Sequence, residues 1–267
     1  MKHIILFDMD GTLTPPRKEI STKMIRKLKE LSAIAKIGIV TGSGYDYLVQ
    51  QCKELWWDIG TVSPYDLTLL PCNGTQVYGA KTQLGQFELK LKSDMREEIG
   101  REKVDRIMKC LSYFQFLHNC SNPSHSLTGH FISYRDSLIN WCPVGRNADD
   151  EQRAEFILFD KENNMRIKFK DSIQKYLSAY GINNVTLALG GSTSIDIFPD
   201  GWDKTFALRH FPDSVCWFVG DSCEGSGNDR TLYELLAKDK RSYMTTGPEQ
   251  TLKIIDDIIK KIKNKEQ

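Results

Sequence analysis

Two aspartates directly follow a short apolar run near the start of the chain, in the segment FDMDGT at residues 7–12. The run that precedes them is typical of a strand buried on both faces of a parallel sheet. Because one residue separates Asp8 from Asp10, their side chains would point to the same side of an extended backbone. Two carboxylates at such a short separation repel each other, and a cation such as Mg²⁺ between them would keep both ionised. A solvent-exposed Asp-Gly turn is the alternative interpretation.

Polar groups also follow two later strand-like segments. Thr41 comes after the apolar IGIV, and Asp221 comes after the apolar VCWFVG, with Asp229 close behind it. Lys204 lies near the start of a helix-like segment, DKTFAL. In an open sheet the carboxyl ends of parallel strands meet at the ligand crevice, so we expect these groups to lie close together. Carboxylates for a metal, a hydroxyl and an ammonium are groups that suit phosphoryl transfer.

The elements that must position these residues can be predicted from hydrophobic periodicity. Residues 21–36 have apolar residues at helical spacing, with Ser21 or Thr22 as the cap, and a second helix is predicted at roughly 45–55. Two short strands are predicted around the Asn-Gly turn within 66–79. The order β-α-β-α-β favours a doubly wound parallel sheet with right-handed crossovers.

The pattern changes in the middle of the chain. Residues 82–198 combine a long helical segment, strand-like HFISYRDSLINWCP, a second helical stretch and the strand-like VTLALGG and STSIDIF. We interpret this region as an α+β domain with an antiparallel sheet, inserted into a core formed by 1–81 and 199–267. The last segment, LKIIDDIIKKIKNKEQ, has isoleucines along one face and is predicted to be a packed helix with a charged outer face.

Composition and charge exclude several classes of partner. A length of 267 residues favours about two domains, and 40% hydrophobic residues suffice for a core. Lys and Arg number 36 against 35 Asp and Glu, so no overall field favours nucleic acid or an anionic membrane. The seven cysteines are scattered, which favours reduced thiols in a cytoplasmic enzyme over a disulfide framework or a zinc site. We expect neither a membrane span nor a signal peptide.

Four motifs occur here in a fixed order: DxDGT, a Thr or Ser after the second strand, a Lys, and a late GD followed by ND. This order is typical of the haloacid dehalogenase (HAD) superfamily, which the chain resembles. The segments LTPPR at 13–17, CPVGRNADDEQRAEF at 142–156 and GGSTSIDIFPDGWDK at 190–204 resemble the eukaryotic-type phosphomannomutases. The resemblance implies an α/β fold: a HAD-like doubly wound parallel sheet core with an inserted α+β cap domain. The cap would close over the sugar and carry a homodimer contact.

The resemblance also implies an activity. These enzymes interconvert mannose 6-phosphate and mannose 1-phosphate through an aspartyl-phosphate and a hexose 1,6-bisphosphate, feeding GDP-mannose synthesis. They use Mg²⁺, and a hexose 1,6-bisphosphate acts as activator. The partners implied are therefore small sugar phosphates, with no nucleic acid and no membrane. A mutase needs two phosphate sites, one reactive and one that only binds, whereas a phosphatase has no requirement for the second.

Residue roles follow by matching positions. Asp8 would be the nucleophile and Asp10 the general acid and base, with Thr41 and Lys204 completing the catalytic set. The metal would be held by the Asp8 side chain, the Asp10 backbone carbonyl and Asp221, with Asp229 close by. The residues that match substrate-binding positions are Arg17, Arg135, Asn140, Arg146, Arg153, Ser194 and Asp196. Guanidinium groups suit phosphate because they bind it in a bidentate manner, although any one arginine alone could equally form a surface ion pair.

Two loops depart from the family pattern. The sequence Val40-Thr41-Gly42-Ser43 stands where the family usually has Gly-Gly-Ser, and the loop at 220–229 has no lysine after Gly-Asp. A sugar-phosphate phosphatase of the same superfamily is therefore the alternative function. A non-catalytic sugar-phosphate-binding regulator is a weaker alternative, because such a protein would be free to lose the acids and Lys204.

Overall fold

The computed structural model describes residues 2–57, 62–81, 86–121 and 126–265. By its internal contacts the chain divides into two units. We call Met1–Lys92 with Asp203–Gln267 the core unit, and Ser93–Trp202 the inserted unit. Of the two boundaries expected from the sequence, the one at 82 lies outside the described residues, and the one at 198 lies just before the end of the inserted unit.

The elements of the described residues alternate between strands and helices through much of the chain. In chain order the strands are β1 (Lys2–Phe7), β2 (Lys36–Val40), β3 (Leu67–Leu70), β4 (Gln76–Ala80), β5 (Phe87–Lys92), β6 (Ile132–Tyr134), β7 (Ile139–Trp141), β8 (Val185–Gly190), β9 (Ser194–Pro199), β10 (Ser214–Gly220) and β11 (Ser242–Met244). The α-helices are α1 (Thr22–Ser32), α2 (Tyr45–Cys52), α3 (Glu54–Trp57), α4 (Met95–Glu98), α5 (Arg101–Ser121), α6 (Asp150–Asn163), α7 (Met165–Ala179), α8 (Arg230–Ala237) and α9 (Pro248–Lys265).

A seven-stranded sheet forms the centre of the core unit, in the order β11-β10-β1-β2-β3-β4-β5. The pairings from β11 to β3 are all parallel, with β1 between β10 and β2. Along β1, Ile4 and Leu6 pack on one face of the sheet while Ile5 and Phe7 pack on the other. The prediction of a strand buried on both faces is therefore confirmed.

Helices cover both faces of this sheet. Side chains of α1, α2 and α9 share one apolar cluster with Ile5 and Phe7, while α8 and a short 3₁₀ helix at Lys204–His210 contribute to the cluster around Ile4 and Leu6. Helix α1 is capped by Ser21, whose hydroxyl accepts from the Met24 amide at 3.2 Å. This arrangement is the doubly wound architecture that the sequence predicts.

Strand β5 belongs to the core sheet, although the sequence analysis placed its residues in the inserted domain. It pairs antiparallel with β4, which in turn pairs antiparallel with β3. Its sequence FELKLK leaves Leu89 and Leu91 more than two fifths exposed, as expected of a strand at a sheet edge rather than in a core. Charged residues at every second position obscured its membership of the sheet.

The inserted unit contains a four-stranded antiparallel sheet in the order β6-β7-β9-β8, together with helices α4 to α7. Its core includes the fully buried Trp141, whose indole nitrogen donates to Gln115 Oε1 at 2.7 Å. The antiparallel sheet agrees with the prediction. Strands β7 and β9 pair directly at Asn140 and Asp196, which places these two residues side by side.

All seven cysteines are free thiols, and six of them are buried. In the part of the chain that the structure describes, none of the helices has the length and apolar character needed to cross a membrane.

Candidate functional site

Strand β1 ends at Phe7, and Asp8 is the first residue beyond it. The Asp8 amide still donates to the Val219 carbonyl of β10 at 2.9 Å, so its backbone is fixed by the sheet. The chain then turns: the Met9 carbonyl accepts the amides of residues 12, 13 and 14, and Gly11 has a φ of +81°. Asp8 and Asp10 consequently have different partners, and the carboxylates that gather around Asp8 come from Asp221 and Asp229.

The carboxylates of Asp8, Asp221 and Asp229, here called the acidic cluster, have oxygens that all lie within 4.8 Å of one another. The ammonium of Lys204 joins two of them: its Nζ lies 2.5 Å from Asp8 Oδ1 and 2.5 Å from Asp229 Oδ1. Lys204 and Asp229 are fully buried, and Asp8 is 6% exposed. Four residues that the sequence marked separately are therefore brought together by the fold.

Lys204 is positioned by packing of its 3₁₀ helix on the turn after β3. Asp203 caps this helix by accepting from the Thr205 amide at 2.9 Å. Ala207 lies so close to Gly74 that a Cβ on that glycine would come within 2.8 Å of the alanine Cβ. His210 Nε2 forms a hydrogen bond of 2.7 Å with the Gly74 carbonyl. These contacts hold Lys204 in place from both ends of its helix.

Two glycines give the acidic cluster its space. A Cβ on Gly11 would lie 2.6 Å from Asp221 Oδ2, and a Cβ on Gly220 would lie 2.5 Å from Asp229 Oδ2. The loop between Asp221 and Asp229 is closed by hydrogen bonds between Ser222 and Asp229, in which each residue's amide donates to the other. The glycines of DGT and GD are therefore required by close approach of the carboxylates.

The charges of the cluster indicate what it can bind. Three carboxylates face one ammonium, and burial together with repulsion from Asp229 raises the pKa of Asp8 despite the attraction of Lys204. Burial and Asp229 also raise the pKa of Asp221. Burial opposes the charge of Lys204, but the carboxylates of Asp229 and Asp8 outweigh it and raise the pKa of the amine. A divalent cation would relieve the remaining repulsion, and a set of carboxylate oxygens fits Mg²⁺.

Asp10 is held by groups that sequence reasoning did not identify. Its Oδ1 accepts from the Arg17 amide at 3.0 Å, from Gln51 Nε2 at 3.1 Å and from the Tyr47 hydroxyl at 3.4 Å. Thr14 donates to Gln51 Oε1 at 2.7 Å. Gln51 and Tyr47 lie on α2, and no local pattern distinguishes them from other polar residues of an amphipathic helix.

Thr41 and Arg17 lie on other loops of the core unit. Thr41 is buried after β2, and its Oγ1 accepts from the Ser43 amide at 3.1 Å, which shapes the loop that it begins. Arg17 has an exposed side chain and a φ of +62°, an uncommon conformation for a residue with a Cβ. The roles of both residues remain those that the resemblance implies.

A second polar cluster lies in the inserted unit, on β7 and β9. Asn140 donates to Asp196 Oδ1 at 2.6 Å, and Arg146 donates to Asn140 Oδ1 at 3.1 Å. Gly190 on β8 provides room for this cluster, since a Cβ there would lie 2.6 Å from Asp196 Oδ2. Three predicted substrate-binding residues therefore form one hydrogen-bonded chain.

Two further guanidinium groups, those of Arg135 and Arg153, lie near the hydrogen-bonded Arg146. Burial lowers the pKa of Arg146, and the neighbouring guanidinium groups of Arg135 and Arg153 lower it further. Burial raises the pKa of Asp196, while Arg135, Asn140 and Arg146 oppose that shift. We call Arg135, Arg146 and Arg153 the arginine cluster. Because the guanidinium groups of Arg135 and Arg153 act unfavourably on that of Arg146, an anion bound among them would relieve the repulsion.

The loop between β8 and β9 brings serines to the same region. Arg153 contacts Ser192 at 3.5 Å, and Ser194 is buried at the start of β9. Arg166, which the sequence did not mark, donates to the carbonyls of Gly191 and Ser194 at 2.9 and 3.2 Å. It is itself fixed by Asp160 at 2.7 Å, in a pair that is about one tenth exposed. No motif in the sequence indicates this pair.

Solved structures with the same fold include phosphatases of small phosphorylated metabolites. A C-terminally truncated IMP-nucleotidase of Plasmodium falciparum matches 96% of this chain and 71% of that chain with a TM-score of 0.65 at 14% identity. The trehalose-6-phosphate phosphatase of Aspergillus fumigatus matches 96% of this chain and 91% of that chain with a TM-score of 0.50 at 17% identity. At these identities the likeness shows a shared fold and nothing further.

Sequence relatives are more specific. The phosphomannomutase of Spinacia oleracea is 32% identical over 257 residues, which cover 96% of this chain and 95% of the relative. That of Saccharomyces cerevisiae is 32% identical, covering 96% of this chain and 93% of the relative. The model of the eukaryotic phosphomannomutase family matches residues 23–261. Because both the family model and these relatives match nearly the whole chain, the protein belongs to the eukaryotic phosphomannomutase family.

Proposed function

We propose that the chain is a Mg²⁺-dependent phosphomannomutase that interconverts mannose 6-phosphate and mannose 1-phosphate. The observation that supports this most strongly is the buried contact of Lys204 with both Asp8 and Asp229. A buried ammonium between carboxylates is costly to maintain as a purely structural feature, whereas it suits a site that must stabilise phosphoryl oxygens. Family membership supports the mannose substrates.

In the core unit, the side chains of Asp8, Asp221 and Asp229 and the carbonyl of Asp10 would hold the metal. When bound, Mg²⁺ supplies neutralisation of the charge on the phosphoryl oxygens. Lys204 contributes further positive charge and keeps the Asp8 carboxylate oriented. Thr41 completes the catalytic set in the loop after β2.

The reaction moves a phosphoryl group to and from Asp8. An oxygen of Asp8 forms a bond to one phosphorus of a hexose 1,6-bisphosphate while the bond from that phosphorus to its sugar oxygen breaks, and Asp10 gives its proton to that oxygen, which leaves an aspartyl-phosphate and a hexose monophosphate. In the return step the free hydroxyl of the isomeric hexose monophosphate attacks the aspartyl-phosphate and loses its proton to Asp10, which regenerates the bisphosphate and the Asp8 carboxylate. A hexose 1,6-bisphosphate is thus both the intermediate and the activator that phosphorylates Asp8.

The inserted unit would bind the phosphate that does not react. The arginine cluster would supply the positive charge. Asn140, Ser194 and Asp196 would accept or donate hydrogen bonds to sugar and phosphate oxygens. A mutase needs such a second anion site because the bisphosphate has to bind in both orientations.

We also propose that the protein is a cytoplasmic homodimer joined through the inserted unit. The free thiols are compatible with a reducing compartment. In the inserted unit, Phe116 and Leu158 are each 62% exposed, and a second copy could cover them. Sedimentation of the wild type and of Phe116→Lys would test the contact: a wild-type monomer would contradict it.

The products of mannose 1-phosphate distinguish the mutase from a sugar-phosphate phosphatase. The assay follows mannose 6-phosphate and inorganic phosphate separately, with and without catalytic hexose 1,6-bisphosphate. We expect mannose 6-phosphate to dominate and its formation to depend on the bisphosphate. Inorganic phosphate as the main product in both conditions would overturn the mutase and support the phosphatase.

A further inference from the structure

Asp10 is held by a relay of two buried side chains, and neither of them has a role in the proposed function described above. The relay consists of Thr14, which is fully buried, and Gln51, which is 3% exposed. Thr14 Oγ1 lies 2.7 Å from Gln51 Oε1, and Gln51 Nε2 lies 3.1 Å from Asp10 Oδ1. The two hydrogen bonds connect the Thr14 hydroxyl, the Gln51 amide and the Asp10 carboxylate in series.

The relay has a fixed direction because of the chemistry of its ends. Asp10 Oδ1 accepts from the backbone amide of Arg17, which can only donate, so the Gln51 amide meets this acceptor oxygen with its NH₂ end. Thr14 has a single hydroxyl proton and two acceptors, Gln51 Oε1 at 2.7 Å and the Met9 carbonyl at 3.3 Å. The closer contact favours donation to Gln51. A rotated amide would place its oxygen against the carboxylate, and the Thr14 bond holds the amide against that rotation.

Three donors in the described part of the chain meet the same oxygen of Asp10. The Arg17 amide, Gln51 Nε2 and the Tyr47 hydroxyl all donate to Oδ1. Burial and the Asp10 carboxylate raise the pKa of Tyr47 to about 12, so its hydroxyl keeps the proton that it donates. These donors fix the position of Oδ1 and with it the orientation of the carboxylate.

We propose that Thr14 and Gln51 are positioning residues that orient Asp10 for proton transfer to and from the sugar oxygen. This inference rests on the proposed function, in which Asp10 protonates the sugar oxygen as its bond to phosphorus breaks. Thr14 acts only through Gln51, since it is the amide that contacts Asp10. The relay therefore affects the proton transfer and leaves the attack by Asp8 unchanged.

The choice of leaving group separates an effect on proton transfer by Asp10 from an effect on the attack by Asp8. During turnover of mannose 1-phosphate, the sugar oxygen of the bisphosphate intermediate needs a proton as it departs, whereas p-nitrophenolate is a stable anion that departs without one. With enzyme in excess over p-nitrophenyl phosphate, a single turnover reports only the transfer to Asp8. A loss of general structure in the core unit would slow both reactions equally.

The variants are Gln51→Met, which keeps the length of the side chain, Thr14→Val, Thr14→Ser and the double variant Thr14→Val/Gln51→Met. The matched control is Thr251→Val, which removes another fully buried hydroxyl of the core unit, bonded at 3.0 Å to Thr245. Thermal unfolding of each variant monitors the fold. If Thr14→Val does not fold, Gln51→Met and Thr14→Ser still decide the outcome.

We expect Gln51→Met and Thr14→Val to lower kcat for mannose 1-phosphate by about tenfold or more, with little change in KM. Single-turnover release of p-nitrophenolate should stay within about twofold of the wild type. Thr14→Ser should retain activity, Thr251→Val should resemble the wild type, and the double variant should be no slower than Gln51→Met.

Equal losses on both substrates, additive losses in the double variant, or no loss at all would each overturn the relay. Failure of the proposed function would appear differently, since the wild type would then release inorganic phosphate and form no mannose 6-phosphate. In that case the ratio between the sugar phosphate and p-nitrophenyl phosphate in the same variants would still decide the role of Gln51.

Discussion

The buried polar clusters of the two units differ in the sign of their excess charge. In the core unit three carboxylates share one ammonium, that of Lys204. In the inserted unit the carboxylate of Asp196 lies near Arg135 and Arg146, and Arg135 and Arg153 also repel Arg146. Among the residues named here, the negative charges outnumber the positive ones in the acidic cluster, and the positive charges outnumber the negative one around the arginine cluster. Under the proposed function, the first cluster would bind a divalent cation and the second an anion.

The two clusters also differ in the structural elements that hold their side chains in place. The acidic cluster is attached to the ends of parallel strands, where glycines permit close approach of carboxylates. The arginine cluster depends on long side chains that are only partly buried and on a hairpin loop held by Arg166. A rigid cluster suits bond formation, which requires precise placement, whereas longer side chains can follow a phosphate that arrives in two orientations.

The largest expected effect comes from Asp8→Asn. The amide is a poor nucleophile and a weaker metal ligand, so mutase activity should fall by roughly 10⁴-fold or more. Because an amide is nearly isosteric with the carboxylate, thermal unfolding should show a folded protein. Measurable turnover by a folded Asp8→Asn protein would contradict the role of the acidic cluster in covalent chemistry.

Removal of a metal ligand should have the next largest effect. Asp221→Ala should weaken Mg²⁺ binding by roughly 100-fold or more, since even residues that only support a ligand contribute 10–100-fold. Titration calorimetry with Mg²⁺ alone measures this directly. EDTA should abolish wild-type activity and added Mg²⁺ should restore it. Activity that resists EDTA would show that the acidic cluster has another purpose.

The arginine cluster should give smaller and selective effects. Arg146→Ala or Arg153→Ala removes a charge-assisted contact worth about 1.5–3 kcal/mol, or about ten- to hundred-fold in kcat/KM for sugar phosphates. Hydrolysis of p-nitrophenyl phosphate should change little, because it presents no second phosphate. Equal losses on both substrates would mean that these arginines support the structure of the inserted unit.

The smallest effect is expected outside both clusters. Ser21→Ala removes the cap of α1 and should lower stability by about 1 kcal/mol, or about 2–4 °C in Tm. Activity at 25 °C should remain that of the wild type, which makes this variant a baseline for the others. A loss of activity as large as that of Arg146→Ala would weaken the contrast between the clusters and ordinary structural positions.

Much of the acidic cluster could be predicted because it follows from strand ends. Asp8 and Asp221 each follow an apolar run, and parallel strands bring such positions to one edge. Lys204 and Asp229 were expected near the same edge, but helix starts and loops carry many charged residues, and the order of the family motifs was what set these two apart. The mutual geometry of Asp8 and Asp10 could not be predicted, because it depends on a turn in which one carbonyl accepts three amides.

Residues that support the site were harder to recognise. Gln51 is a polar residue of an amphipathic helix, and only its burial and its two partners reveal a role. Arg166 and Asp160 are separated by six residues across the junction of α6 and α7, so no periodic pattern pairs them. Strand β5 was assigned to the wrong side of a boundary because an edge strand with alternating lysines resembles a surface segment.

The central position of β1 has a consequence for how the protein is made. Its neighbour β10 lies more than 200 residues later, so the ribosome completes the inserted unit before it synthesises the strand that β1 requires. Contacts of such long sequence separation form slowly. Asp8 is therefore synthesised long before Lys204, Asp221 and Asp229, so the nascent chain cannot assemble the acidic cluster with its lysine until β10 and the loop after it have been made.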